Sequence, residues 1–291
     1  MTSKCAPPLH ISLQTPTTKL MKKNRLFSFL FFCTCLIGIA NAQCPLENTA
    51  FQAGETLNYD LYFNWKFIWV KAGTASLTTK ESNWNGEKVY RSELITKTSN
   101  RIDKFFMMRD TLQCIMQKNI VPLYYKKAAN EGGKYYVDEV WYTYRNGSTS
   151  LRHKYLSRKG LTSEAKSEIK QCAYDMISMM MRARSFDATQ FSVGEKIIFP
   201  MADGRKVEDV TLIYRGKKEY KMKGNENKYR CLIFSFVEYE KEKEKEIITF
   251  YITDDANHIP VRLDMFLKFG TAKAYLKNYQ GLRNSMTSVI E

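Results

Sequence analysis

The side chains that could do chemistry in this chain are few and scattered. Beyond residue 42 there are two histidines, His153 and His258, far apart and with no cysteine at ligand spacing. That argues against a zinc centre, so no metal and no cofactor is expected. Asp175 and Ser178 stand three apart on a helical stretch, where an acid and a hydroxyl serve as a helix cap more readily than as catalysts. Asp254 and Asp255 could hold a cation or work as paired acids, but an Asp-Asp-Ala-Asn turn needs no such role. A hydrolase would need Asp254, Asp255, His258 or Asp175 to meet in one cleft. No G-x-S-x-G elbow or phosphate-cradling loop is present. No catalytic residue is assigned, and the chain is read as a non-enzyme.

Four cysteines lie in the same region: Cys44, Cys114, Cys172 and Cys231. Their spacings are too wide for a CxxC redox or zinc motif. They allow two disulfides in three connectivities, or buried thiols. Cys44 and Cys172 fall outside the expected strands, which favours that pairing. The richer signal is aromatic. Tyr59, Phe63, Trp65, Trp69 and Trp141 occupy inward strand positions, with Met180 on the helix facing them. Two readings stay open. One is a large barrel-like core; the other is a ligand cavity lined by these rings, as rolled antiparallel sheets of this size can enclose.

The elements that would position these groups are mostly strands. Leu57, Tyr59, Leu61, Phe63, Trp65 and Phe67 alternate with mostly polar neighbours, the period of a half-buried strand. Phe67 to Val70 breaks the alternation, predicting a turn or bulge buried on both sides. Asn-Gly and Gly-Gly steps at Asn85-Gly86, Gly132-Gly133 and Asn146-Gly147 read as hairpin turns. Turns are also expected at Asp203-Gly204 and Lys223-Gly224-Asn225. The Glu/Lys run 240–246 reads as a solvated hairpin tip, and residues 261–268 and 271–278 as final strands. One helix is expected around residues 174–185, capped by Asp175 and rich in Met. The motif F-x-x-G-E occurs at Phe51–Glu55 and again at Phe191–Glu195. It suggests two related β-halves, about 51–170 and 190–282, joined by the helix. The fold class is therefore mostly β: an antiparallel rolled or barrel-like sheet with one helix.

A second start at Met21 opens a basic head, an apolar run from Leu26 to Ile39 and the triplet Ala40-Asn41-Ala42. This is the pattern of a secretory signal peptide over residues 21–42, cleaved before Gln43, with 1–20 an upstream extension. The expected product is a single exported domain, 43–291, in the periplasm or associated with the outer membrane. Gln43 fits a lipobox poorly, which disfavours lipidation at Cys44. No later stretch is long and apolar enough for a membrane helix. Residues 1–42 hold five basic residues and no acid, so without them the net charge falls from +15 to +10. The basic residues are interspersed with acids, which excludes a nucleic-acid stripe and leaves attraction to anionic headgroups or polysaccharide.

Four stretches, in order, resemble the bacterial family called domain of unknown function 3108: Gly54-Glu55-x-Leu57-x-Tyr59, Phe67 to Ala75, Tyr174 to Ser178, and Thr253 to Arg262. The cleavage site and overall style are similar to members from Bacteroidetes. The resemblance implies an exported antiparallel β architecture and no activity. Gly54, Gly73 and Pro260 make sense as turn, bulge and edge devices. The leading expectation is a carrier for an apolar or glycan envelope ligand. The rival is an envelope assembly protein acting through surface contacts.

Overall fold

The computed structural model describes residues 44–65, 68–204, 206–222, 227–240, 242–267 and 270–290. The leader and the expected turn at residues 223–225 lie outside the described residues. The chain runs through β1 (Thr56–Trp65), β2 (Ile68–Trp84), β3 (Glu87–Thr98), α1 (Asn100–Asp103), β4 (Met108–Met116), β5 (Pro122–Glu131), β6 (Lys134–Arg145), β7 (Ser148–Leu156) and β8 (Thr162–Ile169). It continues through α2 (Met176–Ala183), β9 (Lys196–Asp203), β10 (Lys206–Lys221), β11 (Lys228–Glu240), β12 (Lys243–Thr253), β13 (Pro260–Leu267), β14 (Gly270–Gln280) and β15 (Val289–Ile290). The architecture is mostly β and antiparallel, as the alternation and turn chemistry require.

Hydrogen-bonded order is β8-β7-β6-β5-β4-β3-β2-β1-β14-β13-β12-β11-β10-β9, with β15 beside β11. Each half is a meander of sequential hairpins; β14 joins them by pairing with β1. The Asn-Gly turns take left-handed backbone at Asn85, Gly86, Asn146 and Gly147, the geometry that matches strand twist. β8 and β9 end the order, and the segment between them fills the seam. Tyr174 bridges Met201 in parallel, donating its N–H to Pro200 and accepting from Ala202. The proline suits that place because it lacks an N–H to pair.

The two F-x-x-G-E stretches open their halves with one hydrogen-bond pattern. Gly54 N–H donates to Thr79 O and Thr79 N–H returns to Glu55 O, at 2.8 and 2.9 Å. Gly194 and Glu195 do the same with Tyr214, at 2.8 and 3.0 Å. Both glycines have positive φ, +97° and +91°, which a side chain resists.

α2 is shorter than expected and lies against β3, β4 and β9. Asp175 and Ser178 form a capping box at its start. Ile177 and Met181 join the main core with Phe51, Leu57 and Tyr125, while Met179 joins a second cluster with Phe199 and Leu212. The helix therefore buries residues around most of its circumference, and unbranched Met fills the irregular gaps. No described helix is long and apolar enough to cross a membrane.

One local expectation is corrected and one refined. The expected burial on both sides does not hold for the described residues 68–70: Ile68 is 67% exposed, and Phe67 lies outside the described residues. The bulge falls instead at Ala72, where β1 pairs Leu61 with Gly73 and Tyr62 with Lys71. The 240–246 run lies at the solvated end of the β11–β12 hairpin, as expected, but the flanking strands extend further into it, with Val237 opposite Glu246 and Glu240 opposite Lys243.

Candidate functional site

The alternation of β6 puts Tyr136, Asp138, Val140 and Tyr142 on one face. Val140 and Tyr142 join the main core. Asp138 is thus a carboxylate at an inward position, 4% exposed. Its Oδ2 accepts from Gly204 N at 2.7 Å, and its Oδ1 has no hydrogen-bond partner. A buried, half-satisfied carboxylate is costly to keep ionised. Burial accordingly pushes its pKa up to about 6.

Gly204 belongs to the β9–β10 turn and is held from two sides. Its carbonyl lies 3.1 Å from His153 Nδ1, while His153 Nε2 lies 2.9 Å from Ser167 Oγ. A carbonyl can only accept, so Nδ1 carries the proton and Nε2 accepts from the serine. Burial lowers the His153 pKa, which keeps the ring neutral and this arrangement fixed. These contacts dock the β9–β10 turn on β6 and β7 across the seam.

A cleft of about 720 Å³ opens at this seam. Its walls carry Lys127, Tyr136, Tyr155 and Asp138 from the β5–β7 side, Glu164 from β8, and Asp203 with Lys206 from the turn. The groups are pre-organised by local contacts. The Arg158 guanidinium lies over the Tyr136 ring at 4.9 Å, and the Tyr136 hydroxyl donates to Glu131 at 3.2 Å. Burial works against the Lys127 charge, but Tyr136, Glu131 and Asp203 hold its pKa above the ordinary lysine value. The cleft presents ring surface, acceptors and donors together, and its volume lies in the range of about 300–1,000 Å³ typical of small-molecule sites.

The apolar pocket beside α2 is different in scale. Met179, Met180, Ala183, Phe186, Phe234 and Phe250 line about 40 Å³, room for water rather than for a lipid chain.

The aromatic residues expected to line one cavity are dispersed. Tyr59 is buried in the main core and donates its hydroxyl to Pro260 O at 3.0 Å. The Phe63 ring packs where a Cβ on Gly270 would come within 3.0 Å. Trp69 lies under Lys273 at 4.5 Å and Trp141 under Arg152 at 3.8 Å. Trp141 is on the opposite face from Val140 and Tyr142, so two phases of one strand account for its separation from the core. The Trp65 side chain lies outside the described residues. Met180 lines the small apolar cavity. Cys44 and Cys172 are bonded, with Cα atoms 5.4 Å apart.

The expected acid and histidine candidates each have a local partner. Asp175 Oδ1 accepts from Ile177 N and Ser178 N at 2.9 Å, and its Oδ2 faces Cys114 Sγ at 3.3 Å. Asp254 is paired with Lys217 at 2.9 Å. Asp255 accepts from Asn257 N, Thr253 Oγ1 and Ser288 N. His258 Nδ1 donates to Arg184 O at 2.6 Å. These contacts explain the residues without a shared reaction centre.

A family model described as "Protein of unknown function (DUF3108)" matches residues 58–277. The chain belongs to this family. The DUF3108 region spans β1 to β14. No curated protein matches the chain. A crystal structure described as a beta-barrel-like protein of domain of unknown function DUF1849 from Brucella abortus is similar at 8% identity, with a TM-score of 0.48, covering 83% of this chain and 100% of that one.

Two of the stretches that resembled DUF3108, Gly54 to Tyr59 and Thr253 to Arg262, meet in a structural collar around Arg184. Arg184, at the end of α2, reaches Glu55 with both terminal nitrogens, at 2.6 and 2.8 Å, and both side chains are 1% exposed. Its Nε and Nη2 also donate to Asn257 O at 3.1 Å. Tyr59 closes the same collar through Pro260. Gly73 has no room for a side chain, since a Cβ would stand 2.1 Å from Lys97 O. The collar therefore ties the end of α2 to β1 and to the β12–β13 turn; the cleft lies elsewhere, at the seam.

Proposed function

We propose that this DUF3108 protein is an exported, non-catalytic binding protein whose seam cleft takes a polar ligand of glycan type. The observation that carries this reading is the Asp138 carboxylate: 4% exposed, with one oxygen unpartnered, on the wall of a cleft of about 720 Å³. A sugar offers hydroxyl donors for Asp138, Glu164 and Asp203, acceptors for Lys127 and Lys206, and C–H faces for tyrosine rings. The apolar pocket, at about 40 Å³, gives the lipid-carrier reading no comparable support.

Native mass spectrometry of the protein isolated from its own envelope tests this. The expected result is a bound small polar molecule in the wild type that is absent from Asp138→Asn. An unliganded wild-type mass, together with no binding of soluble envelope saccharides, contradicts it.

An assembly protein acting through protein contacts is the second reading, favoured by exposed apolar residues at several turns. The sheet edge favours it less. β8 alternates Glu and Lys with small residues, and β9 carries Pro200 and pairs with Tyr174; both devices discourage strand addition.

A further inference from the structure

Four turns that are consecutive in the sheet order lie at one end of the strands: β13–β14, β1–β2, β3–β4 and β5–β6. Described residues at or beside these turns touch one another. Phe63 packs on Gly270 between the first two, Ser99 N–H donates to Ala72 O at 2.9 Å, and the Phe106 ring lies 3.3 Å from where a Cβ on Gly132 would be. This end exposes large apolar side chains: Leu267 at 43%, Ile68 at 67%, Phe105 at 77% and Phe106 at 46%. In water such a cluster is unfavourable and marks a contact surface.

The β3–β4 connection is built to hold its rings outward. Thr98 Oγ1 accepts from Met108 N at 2.9 Å, and Arg109 binds Asp103 Oδ1 at 3.0 Å and Thr98 O at 3.1 Å. Phe105 N and Phe106 N both donate to Ile102 O. A loop stapled this firmly does not expose two phenylalanines through looseness.

The charge around the rings has one sign left over. Asp60, Asp103 and Glu131 are each held by a cation, Lys71, Arg109 and Arg158. Arg101, Lys104 and Lys134 stand exposed beside them. Aromatic and aliphatic tips ringed by Lys and Arg are complementary to an anionic bilayer surface, where the rings enter the headgroup boundary and the cations meet lipid phosphates. We propose that this end of the sheet docks on an anionic lipid membrane. The proposal stands independently of the ligand in the seam cleft.

The test uses the protein expressed with its own leader and purified from the soluble fraction. It is sedimented with vesicles of phosphatidylcholine alone and of phosphatidylcholine mixed with phosphatidylglycerol. Binding to the mixed vesicles is expected. It should fall at least about tenfold in Ile68→Ser/Phe105→Ser/Phe106→Ser, because each change removes a side chain from apolar contact. The charge variant Arg101→Gln/Lys104→Gln should weaken binding severalfold on the mixed vesicles, an outcome that keeps the test decisive if the apolar variant fails to fold. No binding to mixed vesicles, or binding unchanged in both variants, overturns the proposal. So does a wild-type dimer that the apolar variant converts to monomer without any vesicle binding, which would assign the tips to a second copy of the chain.

Discussion

Arg184 and Glu55, 129 residues apart in sequence, meet as a two-point ion pair with almost no solvent exposure. The pair ties the end of α2 to the entry of β1, and Arg184 also reaches the β12–β13 turn through Asn257. A charge in such a place is tolerated only while its partner remains. Glu55→Gln is expected to lower stability by about 3–5 kcal/mol, read as a fall of roughly 10 °C in thermal unfolding followed by circular dichroism. Glu55→Leu/Arg184→Met should recover much of that loss. A double variant no better than the single would show that the pair is not energetically coupled.

Asp138 gives the pH dependence its sign. Below about pH 4 the carboxyl is protonated in both folded and unfolded chains. Between there and about pH 6 the folded chain keeps a proton that the unfolded chain has released. Stability from this group therefore falls as pH rises through that window, and its full cost remains above it. Asp138→Asn should stabilise the protein by roughly 1–3 kcal/mol at pH 7 and by almost nothing at pH 4. Denaturant melts at the two pH values measure this directly. Equal effects at both would place the cost elsewhere.

The Cys44–Cys172 bond holds the segment before β1 to the approach of α2, across a sequence separation of 128. Cys44→Ser/Cys172→Ser is expected to cost about 2–5 kcal/mol. Cys114 and Cys231 are buried free thiols, and burial raises both pKa values, to about 12 for Cys231. They should resist a thiol reagent in the folded protein and react when it unfolds. Prompt labelling of the native chain would contradict their placement.

Gly73 sits opposite Thr98 beside the bulged Ala72, with Lys97 O filling the space of a side chain. Gly73→Ala should destabilise by about 2 kcal/mol or more, because the obstacle is backbone and cannot rotate away. Gly133→Ala, where nothing lies within 4 Å, should cost less despite its positive φ of 78°. A chemical-denaturation series separates the two.

Most of the fold was legible from strand alternation and turn residues, since period two and Asn-Gly turns act locally. The helix was legible from Asp175 and Ser178, although α2 ends sooner than its Met-rich pattern suggested. The aromatic cavity was not, because ring identity does not fix which face of a sheet a residue takes. Trp141 falls one phase away from Val140 and Tyr142. The seam cleft was missed because it joins β6 to a turn 66 residues away through Gly204 and Asp138. One signal was present: Tyr136-x-Asp138-x-Val140-x-Tyr142 puts an acid among core-facing residues, where an unpaired carboxylate needs a reason. The Glu55–Arg184 pair had no local signature at all.

The central claim is that the seam, and not the space beside α2, receives a ligand. Amide and methyl NMR spectra recorded while soluble envelope saccharides are added test it most directly. The account predicts saturable shifts at Gly204, Ala165 and the amide of Asp138, with the methyls of Met179 and Met180 unmoved. Shifts centred on Met180 and Ile252, with Gly204 silent, would contradict it.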